Sequence, residues 1–303
     1  KKTKYMKVAI YNFNNILDEL YKAVRDRGDY VSDWQQADTL VVWQDAVGVL
    51  STMCRQAKEM GKKVVVAEHG LLSINDYIPP LSKPLIGDVF MAWGQETKDW
   101  LIDANIPEDV VTITGTTIFS SMGKRVPHEE KRVLFAPRHW HTDIPENILV
   151  AKMLKTYDKA YVYSKIILGE HDPFEYPNPI MSERDKNNHI KLCYEALKHA
   201  DVVVGIGEGT FAALCYWMDI PYISVDLWHP KELLGKVYTK EDFFAQVSTA
   251  CKIVRLKKLL EVIDYELEHP ESMAEFRRCF VQDYLDGGDP KLALEKQLEV
   301  IYG

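Results

Sequence analysis

Three places in the chain combine residue types that can move a proton or hold a phosphate. Glu68-His69-Gly70 closes an apolar run at 64–67, Arg138 and His171 each follow another such run, and Gly205 to Thr210 separates the β-branched run 202–204 from a helical pattern at 211–218. The glycine-rich turn presents the N–H groups of Gly209, Thr210 and Phe211 at the start of a helix, an arrangement that suits a diphosphate. The same glycines equally suit close packing of helix on strand. His69 titrates in the range needed to take a proton from a hydroxyl, with Asp76 or Glu68 to orient it; a histidine there can also simply cap the strand by hydrogen bonding. An arginine fork at 138 matches phosphate oxygens, and His171 can donate to an oxygen that gains charge. His139 and His141 compete for that last role, and with no third ligand at zinc-like spacing they do not define a metal site. Trp140 and Trp228 are candidates to stack on a base or sugar, or to pack.

Those residues need strands that end where the chemistry sits. Apolar runs at 7–11, 39–43, 64–67, 89–93 and 110–114 predict strands, and 14–27, 46–60 and 95–104 carry helical periodicity. Strands that alternate with helices predict a parallel sheet. Pro79, Pro80 and Pro84 forbid regular structure over much of 71–88. A stretch with Ser121, Gly123, Pro127 and mixed charge, 121–131, predicts a linker. The alternation then resumes with strands 132–136 and 161–168, helices 145–157 and 185–199, and the strand, turn, helix, strand unit 201–226. Only helical stretches are expected after Asp226, ending at 291–302. The expected fold is α/β, two Rossmann-like domains (1–120 and 132–285) facing a central cleft, followed by C-terminal helices of which 286–303 packs back on the first domain.

At 303 residues the chain is long enough for two cores, and 47% hydrophobic with 27% charged residues is ordinary for a soluble protein. No apolar run approaches the roughly 20 residues that span a bilayer, and the amino terminus has no signal-peptide core, so a cytoplasmic protein is expected. The five cysteines (54, 193, 215, 251, 279) include no CxxC pair and predict reduced thiols, neither staples nor metal ligands. A formal charge of −8 argues against a surface that broadly attracts polyanions, while leaving room for a local basic groove.

Taken in order, Glu68-His69-Gly70, Asp76, the strand-helix-strand ending at Thr114-Gly115, the run Leu134 to Trp140 with Arg138, Gly169-Glu170-His171, and the Gly207-Glu208-Gly209-Thr210 turn with its proline-led strand resemble two-domain sugar-nucleotide enzymes of the GT-B type. Within that group the chain looks most like the branch of CDP-glycerol glycerophosphotransferase-type capsule and teichoic acid polymerases and UDP-N-acetylglucosamine 2-epimerases. The resemblance covers 64–226 in motif order. Residues 12–15 read Asn-Phe-Asn-Asn where an epimerase carries Arg-Pro-Glu, and Phe211, Ala212 and Ala213 stand where it carries paired acids. Tyr216 stands where a Glu-x7-Glu donor motif needs an acid, which leaves Glu208 as the candidate ribose contact.

The resemblance implies a glycosyltransferase that moves a sugar from a nucleotide diphosphate sugar, a UDP-sugar by preference, to an acceptor hydroxyl, independent of metal and with inversion. It implies His69 and Asp76 as the catalytic pair on the acceptor-side domain 1–120, and Arg138, His171, Glu208, Gly209 and Thr210 as donor contacts on 132–285. No cofactor is implied beyond the donor as co-substrate. The acceptor is a surface glycan or, as in phage enzymes, a hydroxymethylated DNA base, for which Lys1 to Lys7, Lys124, Arg125, Lys131 and Arg132 would supply a basic stripe. An epimerase acting on the same donor and a non-catalytic nucleotide-sugar binding protein are the alternatives.

Overall fold

The computed structural model describes residues 6–12, 17–46, 48–70, 77, 83–137, 144–167, 173–182, 189–207, 209–227, 231–233, 236–238 and 250–303. The chain divides into two compact units, unit 1 (Lys1–Ser121 with Val281–Gly303) and unit 2 (Met122–Phe280).

Unit 1 is built on β1 (Val8–Tyr11), β2 (Thr39–Val42), β3 (Lys63–Ala67), β4 (Val89–Ala92) and β5 (Val111–Ile113). They lie side by side in sequence order and every pairing is parallel. A parallel strand buried on both faces reads as a continuous apolar run, and all of β2 and nearly all of β3 are buried. Helices α1 (Asp18–Asp26), α2 (Gly48–Glu59) and α3 (Gln95–Asp103) connect them. Met53, Cys54 and Ala57 of α2 and Leu101 of α3 share a core with Leu40, Val42, Val64, Val66 and Phe90.

Unit 2 contains β6 (Arg132–Ala136), α4 (Ile144–Leu154), β7 (Tyr161–Ile167), β8 (Pro179–Ser182), α5 (His189–Leu197), β9 (Val202–Gly205), α6 (Thr210–Trp217), β10 (Tyr222–Val225), a small antiparallel pair β11 (Lys231–Leu233) and β12 (Lys236–Tyr238), β13 (Lys252–Val254) and α7 (Leu259–Glu268). The main sheet runs β13-β10-β9-β6-β7-β8 and is parallel throughout. The chain builds outward from β6 through β7 to β8, then returns to the other side of β6 with β9. The order therefore reverses between β6 and β9, and it is at the carboxyl ends of strands flanking such a point that open α/β sheets bind ligands.

Two sequence expectations need correction here. Residues 179–182, where the sequence reading places no strand, form the edge strand β8; proline is tolerated as the first residue of an edge strand, where no ladder donor is required. The region after Asp226 is not helical only, because the β11–β12 pair follows and Lys252–Val254 returns as an edge strand beside β10.

Residues ahead of β6 lie along unit 2: Val126 N–H donates to Lys198 O (2.7 Å), and Asp201 collects Arg125 (2.7 Å) and His128 (2.9 Å). The chain crosses back to unit 1 within α8 (Ala274–Tyr284). The last helix, α9 (Pro290–Tyr302), starts with the Asp289 carboxylate accepting from Lys291 N–H (2.9 Å) and with proline in its first turn. It is tied to unit 1 by Tyr302 donating to Asp29 (2.9 Å) and Lys63 donating to Val300 O (2.5 Å).

Candidate functional site

The carboxyl end of β3 sets the geometry in unit 1. Glu68 N–H donates to Met91 O (3.1 Å), so the chain stays in register with β4 for one residue past the strand. The Glu68 carboxylate is buried and accepts from Trp93 N–H (2.6 Å) and the Thr97 hydroxyl (3.2 Å), while the Trp93 indole donates to the Glu68 carbonyl (2.8 Å). Glu68 thus ties the chain leaving β4 to the first turn of α3. Burial pushes its carboxyl up to about 8 against the opposing pull of those donors.

His69 is half-buried and points the other way. Its Nδ1 lies 2.9 Å from the carbonyl of Trp43, just past β2, and its ring meets the Trp43 indole edge-on at 4.8 Å. A carbonyl only accepts, so Nδ1 carries the proton and the neutral ring keeps its lone pair on Nε2. The Trp43 carbonyl orients this imidazole, while the Glu68 oxygens accept from Trp93 and Thr97. Asp76 lies outside the described residues.

Asp45, three residues beyond β2, is wholly buried and accepts from Ile86 N–H, Gly87 N–H (2.6 Å each) and the Tyr77 hydroxyl (2.9 Å). Burial raises its pKa while these bonds lower it. This carboxylate anchors the chain entering β4.

In unit 2 the turn after β9 uses its three glycines for three different reasons. A Cβ on Gly205 would lie 2.0 Å from the Tyr222 hydroxyl, which donates to Gly207 O (2.7 Å), so residue 205 must be bare for that ring to cross the sheet. Gly207 has φ +70°, the left-handed region that glycine enters freely. Gly209, the residue before α6, is extended, and a Cβ there meets nothing within 4 Å. Neither backbone conformation nor helix-to-strand packing demands a glycine at 209. No side chain caps α6; Ala212 and Ala213 donate back to Gly209 O, and the N–H groups of Thr210 and Phe211 have no acceptor among the described residues. Lys165 of β7 is buried and holds its ammonium 5.4 Å from the centre of the Phe211 ring.

No family model matches the sequence, and no curated protein matches it. Solved structures do. A Listeria monocytogenes protein named for UDP-N-acetylglucosamine 2-epimerase activity superposes with TM-score 0.68 at 12% identity, over 99% of this chain and 96% of that one. The wall teichoic acid polymerase TagF, soaked with CDPG, gives 0.60 at 10% identity over 99% and 89%. The UDP-GlcNAc 2-epimerase of Neisseria meningitidis bound to UDP-GlcNAc gives 0.55 at 14% over 94% and 80%. The fold is GT-B. These neighbours fall in the same two groups that the motif order resembles, and at such identities the likeness is one of fold.

On this GT-B scaffold, His69, Gly209 and Thr210 each stand at the carboxyl end of a parallel strand. Arg138, His171 and Glu208, together with His139, Trp140, His141 and Trp228, lie outside the described residues. Of the basic residues considered for a nucleic-acid stripe, Arg125 is paired with Asp201, Lys131 donates to Leu267 O (3.1 Å), and the Arg132 guanidinium stacks 5.6 Å over Tyr161. Sequence reasoning passed over Asp45 and Lys165. A lysine inside the apolar run Tyr161 to Ile167 was the available signal for the second; Asp45, one polar residue after a strand among many, had none.

Proposed function

We propose that the protein is a glycosyltransferase that moves a sugar from a nucleoside diphosphate sugar, UDP-linked by preference, to an acceptor hydroxyl. The observation that carries this reading is His69, held by the Trp43 carbonyl so that Nε2 keeps its lone pair. In the proposed reaction Nε2 takes the acceptor proton as the acceptor oxygen forms its bond to the anomeric carbon. The bond from that carbon to the donor's β-phosphate oxygen breaks, and its electron pair leaves on the nucleoside diphosphate. One direct displacement inverts the anomeric centre. In unit 2 the amides of Thr210 and Phe211, which have no acceptor among the described residues, favour the growing negative charge, and the bare Gly209 lets the phosphate approach. Arg138 and His171 are assigned the same diphosphate, and Glu208 the ribose, from their places in the sequence. The acceptor is a glycan or a hydroxymethylated base.

A transfer assay that screens UDP-sugars against lipid-linked glycans, hydroxymethylcytosine DNA and small alcohols tests the reading. Transfer that survives EDTA is the expected result; complete, magnesium-reversible loss would refute the metal-free form of it.

Epimerisation at C2 of UDP-N-acetylglucosamine is the second reading, favoured by the superposition on the Listeria protein over 96% of its length. Incubation with UDP-N-acetylglucosamine alone separates the two, since an epimerase yields the 2-epimer and free UDP without any acceptor. A donor that binds but is never turned over, equally in wild type and His69→Ala, would leave a binding protein instead.

A further inference from the structure

We propose that His128 and Asp201 form a proton-operated clasp on the stretch that enters unit 2, closed while the imidazole carries a proton on both nitrogens and loosened when it loses one. The inference is independent of the transfer reading and concerns regulation by pH.

The first reason is the pair of partners that the ring meets. His128 Nδ1 lies 2.9 Å from the carbonyl of Val126, and Nε2 lies 2.9 Å from the Asp201 carboxylate. The side chain is 12% exposed, so water is a poor substitute for either partner. Asp201 already accepts from Arg125 Nη2 (2.7 Å) on one oxygen and from Arg132 N–H (2.9 Å) on the other, so it has no proton to offer the ring. A carbonyl and a carboxylate both only accept. The imidazole satisfies the two together only with a hydrogen on each nitrogen, which is its charged form. A neutral ring keeps one of the bonds and turns a lone pair on the other acceptor.

The second reason is what the ring holds in place. Unit 1 is left at Ser121, and the chain reaches β6 at Arg132. Within that stretch Val126 N–H donates to Lys198 O (2.7 Å) and Arg125 Nη2 reaches Ala200 O (2.8 Å). Asp201 N–H donates to Arg132 O (2.9 Å), so Asp201 is itself fixed just ahead of β9. Pro127, with its φ set by the ring, shapes the bend that folds His128 back on the carbonyl of Val126. The imidazole therefore joins the incoming stretch to the frame of the sheet.

The third reason is the asymmetry of its surroundings. Asp201 faces His128 from ahead of β9, Arg125 from its own segment, and His199 from beyond α5, with the two imidazole centres 6.3 Å apart. Burial first, then Lys198, Arg132 and His128, push the His199 ring down, against a smaller opposing pull from Glu195. Lys198 is paired with Glu195. Tyr163 of β7 donates to Ala196 O (2.7 Å), and burial pushes its hydroxyl up, so it stays neutral. Of the two histidines, only His128 has a carboxylate against it, and His199 is the ring disfavoured as a cation.

Two measurements on the full chain test this. Nitrogen NMR spectra of the histidine rings should show both nitrogens of His128 protonated at about pH 5 and one bare nitrogen at about pH 8, the span over which an imidazole changes charge. Amide hydrogen exchange at Val126, corrected for the intrinsic effect of pH, should accelerate roughly 10-fold over the same span, relative to Val203 in β9. That factor is the scale by which a charge-assisted hydrogen bond exceeds a neutral one. His128→Gln should abolish the pH dependence at Val126, and His199→Gln should preserve it. A bare nitrogen on His128 at the acid end, protection of Val126 that ignores pH, or a dependence that disappears with His199 instead overturns the proposal. If His128→Gln does not fold, the wild type decides alone, because faster exchange at Val126 must coincide with loss of a ring proton from His128.

Discussion

Both units carry ionisable groups in their interiors, and those beside the strand ends differ in sign. In unit 1 the buried groups are acids, Asp45 and Glu68, and each holds neighbouring chain in place: one anchors the Ile86-Gly87 chain, the other Trp93 N–H and the Thr97 hydroxyl. In unit 2 the buried group beside the strand ends is a cation, Lys165, with a ring as its partner. Sheet order differs in the same sense, sequential in unit 1 and reversing between β6 and β9 in unit 2. Buried acids whose oxygens accept from neighbouring donors build a rigid platform, which is what an imidazole such as His69 needs to hold one tautomer and one direction.

The largest effect is expected from His69, the residue the unit 1 platform presents. His69→Ala should cut turnover by roughly 10²–10⁴-fold, the usual contribution of a general base, while donor affinity stays nearly intact. A parallel loss of donor affinity in titration would move His69 from proton transfer to binding and blur the division between the units.

Gly209→Val sharpens the other side. With nothing within 4 Å of a Cβ there, the change should not overpack the protein, and its stability cost should stay near the roughly 1 kcal/mol of a poorer residue before the helix. The UDP-induced rise in melting temperature should nevertheless disappear. A variant that still responds to UDP would take the α6 start out of the donor site.

Glu68 tests whether the unit 1 acids are structural. Its folded value of about 8 lies above the ordinary 4.5, so the folded state holds the proton more tightly than the unfolded chain. The associated stability is complete below pH 4.5 and is lost as pH rises toward 8. The loss is bounded at about 5 kcal/mol from the size of the shift. Melting temperature should fall between pH 5 and 8 in wild type, and Glu68→Gln should flatten that slope; an unchanged slope in the variant would assign it elsewhere.

The smallest effect belongs to Tyr77→Phe, which removes one of the donors to Asp45. Chemical denaturation should register a loss of about 1–3 kcal/mol with little change in donor affinity. A large change in affinity would mean that Asp45 supports the site as well as the fold.

Much of this architecture was legible along the chain. Thr39–Val42, Lys63–Ala67 and Val202–Gly205 are recognisable because strands covered on both faces must be apolar at every position, and Gly207 because its turn needs a left-handed residue. β8 and β13 were missed since each is short and takes its strand character from a neighbour far away in sequence, β7 and β10 respectively. The site divides along the same line. His69, Gly209 and Thr210 stand out locally, as a histidine after a strand and as the residues that open a helix. The orienting role of the Trp43 carbonyl, the bonds of Glu68 to Trp93 and Thr97 and the placing of Lys165 against Phe211 were decided only in three dimensions. A residue type announces what a side chain can donate or accept, but whether a partner is there depends on which strands the sheet order sets beside it.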